Sequence, residues 1–317
     1  MLETPTTPHG TNDALIRVAI GIAILLTALA TIFAATFFRV SGSGDGQGAA
    51  VAEAFYSEVD VVAKAALVYD LKTNAVLYQK KSELQLPLAS LTKLMLALVI
   101  SEVIPEGTQI PITAHALFRE GEYGLVQSSY WDVQKLLDFT LIASSNDGAQ
   151  ALADSADSFI RAKHSIPSGE NPTVWLMNKR ARELGLVQTY FTDPSGLDES
   201  ESMASAYGST RDMAQLLSYM ILNVPESIGA TVQEGYLIEV SSGDIHNAQN
   251  TNTALGEIPG LIAGKTGFTD LAGGNLAVVF DVSIGHPVIV VVLGSTKDDR
   301  FTDVTTLVKL ARESIAK

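Results

Sequence analysis

One long apolar run, residues 18–38, carries no charged side chain and is bounded by an arginine on each side. As an α-helix rising about 1.5 Å per residue, such a run spans about 30 Å, the thickness of the hydrocarbon core of a bilayer. It is longer than the apolar part of a signal peptide, and nothing nearby is amphipathic as a buried helix should be. We therefore predict a transmembrane anchor at residues 18–38, preceded by a tail at residues 1–17. A signal peptide cleaved near Ala34 or Ala35 is the main alternative.

The segment after this span is rich in glycine and serine. Its stretch VSGSGDGQGAA, residues 40–50, is typical of a flexible tether. It is similar to a glycine-rich nucleotide loop only superficially, because such loops follow a strand and open a helix. We assign residues 39–55 to a flexible linker and residues 56–317 to one folded domain, since no repeat or low-complexity stretch interrupts the latter.

The composition excludes several classes of function. The chain of 317 residues has a formal net charge of −14 and only 21 lysine and arginine residues. Nucleic-acid affinity depends largely on neutralising phosphates with basic side chains, so we expect no nucleic-acid partner. The absence of cysteine excludes thiol catalysis, cysteine-based zinc sites and disulfides. The five histidines are scattered without HxH or HExxH spacing, so we expect no histidine-based metal site.

The order of predicted elements indicates an α+β fold. Two β-prone runs flank Lys72-Thr73-Asn74 and predict a hairpin near the start of the domain. Helical segments follow, including one with Pro172 at its start. The runs LIAGKTGF, GNLAVVFDVSI and PVIVVVLGS then predict consecutive strands, and the chain closes as a helix. Strands at both ends of the domain with helices between them predict an antiparallel sheet that joins the two ends, flanked by helices and a helical region.

The first candidate for chemistry is Ser90-Leu91-Thr92-Lys93. A helix beginning at Ser90 puts Lys93 one turn along on the same face, about 5–6 Å away between β-carbons, so the amine can reach the hydroxyl. Lysine can accept the serine proton only if its pKa falls from about 10.4 toward neutrality, through burial or nearby positive charge. The apolar flank LMLALVI offers a buried setting. The pattern alone also fits an N-capping serine followed by a solvated lysine.

A second candidate is Ser144-Ser145-Asn146, between two helical segments. A loop at a helix start can direct a hydroxyl and a carboxamide into a cleft, where one passes a proton and the other binds an amide substrate. The same residues suit a helix N-cap, and both interpretations can hold together.

Lys265-Thr266-Gly267 is the third candidate, within a predicted strand. A cation, a hydroxyl and a residue without a side chain allow an extended substrate to lie along the strand edge with its terminal carboxylate bound. Glycine there permits close approach of the backbone. A β-turn is the simpler alternative for the tripeptide alone.

The three motifs in this order resemble those of the penicillin-recognising enzymes, which include serine β-lactamases and penicillin-binding proteins. Within that superfamily the chain is most similar to the serine D-alanyl-D-alanine carboxypeptidases, the low-molecular-mass penicillin-binding proteins. The resemblance implies a β-lactamase/transpeptidase-like fold for residues 56–317, a D,D-peptidase domain. It extends over nearly all of residues 60–301 and is carried by AALVYDLKTNAVLYQK, LPLASLTKLM, ASSNDGAQALA, FTDPSGLD, STRDMAQLL, GKTGFTDLAGGNLA and VVLGSTKDDRF.

The resemblance also implies catalytic roles. Ser90 would attack the carbonyl of the penultimate D-alanine of a peptidoglycan stem peptide and form an acyl-enzyme. Lys93 would take the proton of Ser90, and Ser144 would pass a proton to the leaving amine. No metal or organic cofactor is needed, and β-lactams are expected to be covalent inhibitors.

Substrate-binding roles follow in the same way. Asn146 would hold the amide of the substrate, and Lys265 and Thr266 would bind its terminal carboxylate. Gly267 would give the peptide access to the strand edge. The backbone amides of the nucleophile and of Phe268 would form the oxyanion hole.

Three further features depend on comparison with the family pattern. Arg300 matches an arginine that assists carboxylate recognition, although a solvated charge beside two aspartates is the alternative. Residues 193–198 match a family loop and are expected to have a structural role near the site. Ser145 stands where glycine is commoner, which would narrow the cleft slightly.

Three rival functions stay open. A serine β-lactamase usually needs a further glutamate and a positioned water for deacylation, and no ExxLN-like element lies between Asn146 and Lys265. A D,D-endopeptidase that cuts cross-links would use the same residues. An inactive wall-binding scaffold would be favoured by loss of Ser90, Lys93 or Lys265, all of which are present.

The predicted function sets the orientation of the anchor. Wall peptides lie outside the cytoplasmic membrane, so the domain is expected to be extracytoplasmic and residues 1–17 cytoplasmic. The flanking arginines do not decide the orientation by themselves. The sequence does not indicate the oligomeric state.

Overall fold

The computed structural model describes residues 59–118, 124–240, 243 and 245–316, and these form part of one compact unit. The predicted tail, membrane span and linker, residues 1–55, lie outside the described residues. Within the described part of the chain, no helix is long and apolar enough to cross a bilayer.

Helices occupy the middle of the sequence and its end. Several start at a capping side chain that the sequence contains: Asn171, for example, accepts a hydrogen bond from the Val174 amide at 3.0 Å, directly before Pro172 in the first turn. The α-helices in the described residues are α1 (Thr92–Val103), α2 (Val133–Ile142), α3 (Asn146–Lys163), α4 (Pro172–Glu183), α5 (Thr210–Asn223) and α6 (Asp299–Ile315).

Strands lie at both ends of the domain, with short pairs between the helices. Those in the described residues are β1 (Ala65–Asp70), β2 (Ala75–Lys80), β3 (Leu86–Pro87), β4 (Gln109–Pro111), β5 (Tyr130–Asp132), β6 (Tyr190–Phe191), β7 (Asp198–Ser200), β8 (Met203–Ala204), β9 (Ala206–Gly208), β10 (Gly235–Glu239), β11 (Ile245–Gln249), β12 (Leu261–Thr269), β13 (Gly273–Asp281) and β14 (Pro287–Ser295).

The central sheet has five antiparallel strands in the order β12-β13-β14-β1-β2. Side chains alternate between its faces, and both faces are covered. Val288, Val290 and Val292 pack with α6, whereas Ile289 and Val291 belong to the larger core on the helical side. Coverage of both faces explains why β14 is almost entirely apolar rather than alternating with polar residues.

Helix α1 lies at the centre of the helical region. It packs against α2, α3, α4 and α5, and almost all of its residues are buried, including Thr92 and Lys93. A helix that is apolar on nearly every side is typical of such a central position. The 3-10 turn Ala89–Leu91 that precedes it lies next to β12, so the chain just before the helix and the sheet edge form one junction.

The structure confirms the α+β architecture, the hairpin of β1 and β2, the predicted helices and the three C-terminal strands. It corrects the start of the helix predicted at Ser90. Ser90 lies in a 3-10 turn, Ala89–Leu91, and the α-helix begins at Thr92. The short strand pairs, among them the hairpin of β10 and β11, were not predicted.

Candidate active site

The hydroxyl of Ser90 and the amine of Lys93 meet at the start of α1. Ser90 Oγ lies 2.8 Å from Lys93 Nζ. Lys93 is completely buried, so the alternative of a solvated lysine is wrong. The preceding residue, Ala89, has φ +47°, a left-handed conformation that costs a non-glycine residue roughly 1–3 kcal/mol. The 3-10 turn therefore presents Ser90 through a strained backbone that its neighbours hold in place.

A glycine in the loop of residues 193–198 packs against this turn. A β-carbon at Gly196, which has φ +84°, would lie 2.0 Å from the Ala89 carbonyl oxygen. Any side chain would therefore displace the turn that carries Ser90. The sequence predicted only a structural role for this loop, and the close approach shows how the loop fixes the position of the nucleophile.

Three oxygen atoms surround the Lys93 amine. Besides Ser90 Oγ, Nζ contacts Asn146 Oδ1 at 2.8 Å and the Ser195 carbonyl oxygen at 2.7 Å. Burial lowers the pKa of Lys93 from its ordinary value of 10.5 to about 7, and the carboxylate of Asp193 opposes that shift. A neutral amine is thus accessible near neutral pH.

The three contacts suit the amine in either protonation state, and the lowered pKa makes the neutral form available. A neutral amine has two N–H donors and one lone pair. The carbonyl-type oxygens of Asn146 and Ser195 accept the two N–H groups, which leaves the lone pair for the Ser90 hydroxyl. The arrangement can therefore take the Ser90 proton while all partners of the amine stay in place.

A second lysine contacts the second serine. Lys265 Nζ donates to Ser144 Oγ at 2.8 Å and to the Thr266 carbonyl oxygen at 2.9 Å. Burial, followed by the positive charges of Lys93 and Arg300, lowers the pKa of Lys265. Ser144 has φ +59°, a second left-handed non-glycine residue. The Ser144 hydroxyl is thereby linked to a buried amine able to exchange a proton with it.

Ser145 does not line the cleft. Its side chain is fully buried, and its hydroxyl oxygen accepts a hydrogen bond from the Gly148 amide at 3.0 Å. It is the N-cap of α3, so the expectation that it narrows the cleft is wrong. Both interpretations of this motif hold, but for different residues. Ser145 caps the helix, whereas Ser144 contacts Lys265 and Asn146 contacts Lys93.

Strand β12 lies directly against the nucleophile turn. A β-carbon at Gly267 would lie 2.9 Å from the Leu88 carbonyl oxygen and 3.1 Å from the Ser90 amide nitrogen. Glycine is required for this approach. Phe268 follows with its side chain 41% exposed, and the Lys297 ammonium lies 5.5 Å from the centroid of its ring. The Phe268 ring and the Lys297 cation thus lie together beside the end of β12.

Arg300 contacts the backbone of β12. Its guanidinium donates to the Gly267 carbonyl oxygen at 2.7 Å, and the residue is only 7% exposed. The alternative of a solvated charge is therefore wrong. Arg300 contributes positive charge at the site and lowers the pKa of Lys265.

Sequence reasoning missed three contacts with this site. Ser195 contributes a backbone carbonyl, which no side-chain motif can show. Asn275 donates to the Pro87 and Leu88 carbonyl oxygens at 3.0 Å each and accepts from the Gly294 amide at 2.8 Å. Its position in the apolar run GNLAVVF was an available signal, because a buried polar residue in a strand needs partners. Thr251 Oγ1 lies 2.5 Å from Thr266 Oγ1.

Comparison with known proteins now identifies the family. Residues 51–297 match the sequence profile of the D-alanyl-D-alanine carboxypeptidases, peptidase family S11. The chain belongs to this family. The resemblance drawn from the three motifs is thereby confirmed.

Individual relatives carry two names within the family. The chain is 31% identical over 261 residues to the D-alanyl-D-alanine carboxypeptidase DacF of Bacillus subtilis, covering 80% of this chain but only 63% of DacF. It is 28% identical over 256 residues to a D-alanyl-D-alanine endopeptidase of Pseudomonas aeruginosa, covering 78% of this chain and 76% of that protein.

Among solved structures, the chain is similar to ampicillin-bound Penicillin-Binding Protein D2 from Listeria monocytogenes. The TM-score is 0.67 at 29% identity, and the match covers 80% of this chain and 98% of that one. The transpeptidase-like fold expected from the sequence is confirmed by this similarity.

In the part of the chain that the structure describes, no group of three or more His, Cys, Asp or Glu side chains is placed to hold a metal ion.

The lowered pKa of Lys93 is open to direct measurement. In a full chain carrying ¹³Cε-labelled lysine, we expect the Lys93 resonance, assigned by its loss in Lys93→Met, to titrate with a pKa of about 7 because burial disfavours the ammonium. The ordinary lysine pKa of 10.5 is the reference value. A Lys93 resonance that titrates near 10.5 would contradict the proposed base.

Proposed function

We propose that the chain is a serine D,D-carboxypeptidase that removes the terminal D-alanine from peptidoglycan stem peptides through an acyl-enzyme on Ser90. The observation that carries the proposal is the completely buried Lys93 amine, 2.8 Å from Ser90 Oγ and held by two further oxygen acceptors. Membership of the S11 family supports it.

Acylation would begin with transfer of the Ser90 proton to the neutral Lys93 amine. Ser90 Oγ attacks the carbonyl carbon of the penultimate D-alanine, and the carbonyl oxygen becomes an oxyanion. The backbone N–H groups of Ser90 and Phe268 are assigned to stabilise it, and each such donor is typically worth about 3–4 kcal/mol. The close approach of Gly267 to the Ser90 amide brings these two backbone segments together.

Collapse of the intermediate would release the terminal D-alanine. The C–N bond breaks, and the proton that Lys93 took from Ser90 passes through the Ser144 hydroxyl to the leaving amine, so that Lys93 is neutral again and Ser144 keeps its hydrogen; Lys265 contacts Ser144 at 2.8 Å. Water then attacks the acyl-enzyme and gives up a proton to Lys93, and Ser90 recovers its hydrogen as the shortened peptide leaves. The cycle consumes only water and the peptide.

Substrate binding would use both walls of the cleft. The Asn146 carboxamide donates to a substrate carbonyl through its N–H groups, since its Oδ1 accepts from Lys93. Thr266, the Lys265 amine and the positive charge of Arg300 would receive the terminal carboxylate. Gly267 leaves space for the extended peptide along β12. β-Lactams are proposed as covalent inhibitors of the same serine, which fits the ampicillin-bound relative.

Substitution of the nucleophile tests the proposal. The full chain is incubated with an N-acylated peptide ending in D-alanyl-D-alanine and, separately, with a fluorescent penicillin. We expect release of D-alanine, and covalent labelling seen by intact mass, to fall at least about 1,000-fold in Ser90→Ala, because no other group forms the ester.

Ser101→Ala is the matched control. Ser101 lies on the same helix with its hydroxyl bonded to the Ala97 carbonyl oxygen, so both reactions should persist. A parent chain that folds but neither releases D-alanine nor takes label would overturn the proposal in favour of an inactive wall-binding scaffold. Rapid release of hydrolysed penicillin would favour a β-lactamase.

D,D-endopeptidase activity is the second candidate, because two relatives carry that name. It would use the same residues on a cross-linked peptide instead of a free D-alanine terminus. Mass analysis of products from monomeric and cross-linked muropeptides separates the two activities. Free D-alanine from monomers supports the carboxypeptidase, and monomers produced from dimers support the endopeptidase.

The location of the domain is a separate proposal. Residues 18–38 would anchor the protein in the cytoplasmic membrane, with residues 1–17 inside and the peptidase domain outside, tethered by residues 39–55. The uncharged apolar run supports this.

Fractionation tests the anchor. In bacterial cells we expect the full chain in the membrane fraction, degraded by protease added to spheroplasts, and a variant lacking residues 1–55 in the soluble fraction. The intact mass of the membrane form should equal that of a chain that begins at residue 1. A mature protein starting near Ala35 would instead establish the cleaved signal peptide.

A further inference from the structure

A hydroxyl outside the three motifs contacts the threonine of the third motif. Thr251 Oγ1 lies 2.5 Å from Thr266 Oγ1. Thr266 is almost fully buried and Thr251 partly so. Thr251 precedes β12 in the sequence and belongs to none of the motifs. The contact therefore adds a residue to the cleft wall that the proposed mechanism has not used.

The contact between Thr251 and Thr266 joins two hydroxyl groups. Each hydroxyl has one O–H donor and can accept two hydrogen bonds. Two hydroxyls in contact share one of their hydrogens, and the other hydrogen is left for a third group. If Thr251 donates to Thr266, the hydrogen that is left belongs to Thr266, the residue on the substrate strand. A bound anion next to Thr266 favours donation from Thr251 to Thr266, because the anion needs the Thr266 hydroxyl as a hydrogen-bond donor.

The segment that carries Thr251 is held rigidly. The Asn250 amide nitrogen Nδ2 donates to the Thr231 and Gln233 carbonyl oxygens, both at 2.8 Å, and Asn250 Oδ1 accepts from the Asn252 backbone amide at 2.8 Å. The Thr251 backbone amide donates to the Ile142 carbonyl oxygen at 3.2 Å.

These bonds fix Thr251 between the two sides of the cleft. Ile142 ends α2, two residues before Ser144, whereas Thr266 is in the central sheet. A hydroxyl presented from such a turn loses little freedom when it donates to Thr266. Donors fixed in advance bind a charged group more effectively than donors that must be ordered.

We propose that Thr251 is a positioning residue for the terminal carboxylate of the substrate: its hydroxyl donates to Thr266 Oγ1 and thereby directs the Thr266 hydrogen to the carboxylate. The proposal rests on the proposed D,D-carboxypeptidase function and extends it. Hydroxyls in series also strengthen one another, because a group that accepts a hydrogen bond becomes a better donor.

The surrounding charge is consistent with an anion at this place. The buried Lys265 precedes Thr266, and the positive charge of Arg300 acts on Lys265. Neutral hydroxyls near such a cluster select the position of the anion without adding further charge. Thr251 therefore affects how tightly the carboxylate is bound rather than how fast the peptide bond is broken.

The test compares Thr251→Val with Thr251→Ser in the full chain. Valine keeps the shape of threonine and removes the hydroxyl, whereas serine keeps the hydroxyl. With a peptide ending in D-alanyl-D-alanine, we expect Thr251→Val to raise KM about fivefold to tenfold and to change kcat less than about twofold, since ground state and transition state lose the same contact. Thr251→Ser should restore KM to within about twofold of the parent.

Two controls separate positioning from structure. Thr253→Val, at an exposed position two residues away, should match the parent in KM and in thermal melting. Acylation of Ser90 by a penicillin should slow in Thr251→Val, whereas acylation by the methyl ester of the same penicillin, which lacks the anion, should not.

Several outcomes would overturn the inference. They are an unchanged KM in Thr251→Val, a fall in kcat at constant KM, or equal losses with penicillin and its methyl ester. A parent chain that releases no D-alanine would overturn the proposed function itself, and with it this inference. If the parent chain is active and Thr251→Val has the same KM as the parent, only the role of Thr251 is overturned.

Discussion

Removal of the Lys93 amine from water is the condition on which the site depends. A lysine in solvent is a cation at neutral pH and cannot accept a serine proton. Here burial lowers the pKa to about 7, and contacts with Asn146 Oδ1 and the Ser195 carbonyl oxygen keep the desolvated amine satisfied. Without these acceptors, a buried amine would be costly. The proposed chemistry of Ser90 therefore depends on the packing around the Lys93 nitrogen atom.

The fold supplies that packing from two sides. The helical region contributes α1, which carries Lys93, and the start of α3, which carries Asn146. The sheet contributes β12, where Gly267 permits contact with the nucleophile turn. Asn275 joins the two, because it sits where the register of β13 and β14 shifts and bonds the chain just before Ser90. The strained Ala89 conformation persists because these neighbours determine it.

Much of this arrangement could be predicted from the sequence, because strong local patterns agreed with the final fold. The apolar runs of β13 and β14, the helix start at Pro172 and the three motifs each carried their own signal. The remainder depends on contacts distant in sequence or on backbone atoms. The Ser195 carbonyl has no side-chain signature, Thr251 contacts Thr266 from 15 residues earlier in the chain, and the 3-10 turn at Ser90 is imposed by tertiary contacts on a sequence that suits a helix.

The most direct test of the account is the pH dependence of Ser90 acylation by a fluorescent penicillin in single-turnover experiments between pH 5.5 and 9. Below the pKa, the Lys93 amine is protonated and cannot accept the Ser90 proton, so the acylation rate should fall about tenfold per pH unit. Above the pKa, the rate should reach a plateau. The midpoint of the rise in acylation rate is expected near pH 7. A rate that does not change over this range, or that still rises steeply at pH 9, would contradict the assignment of Lys93 as the base.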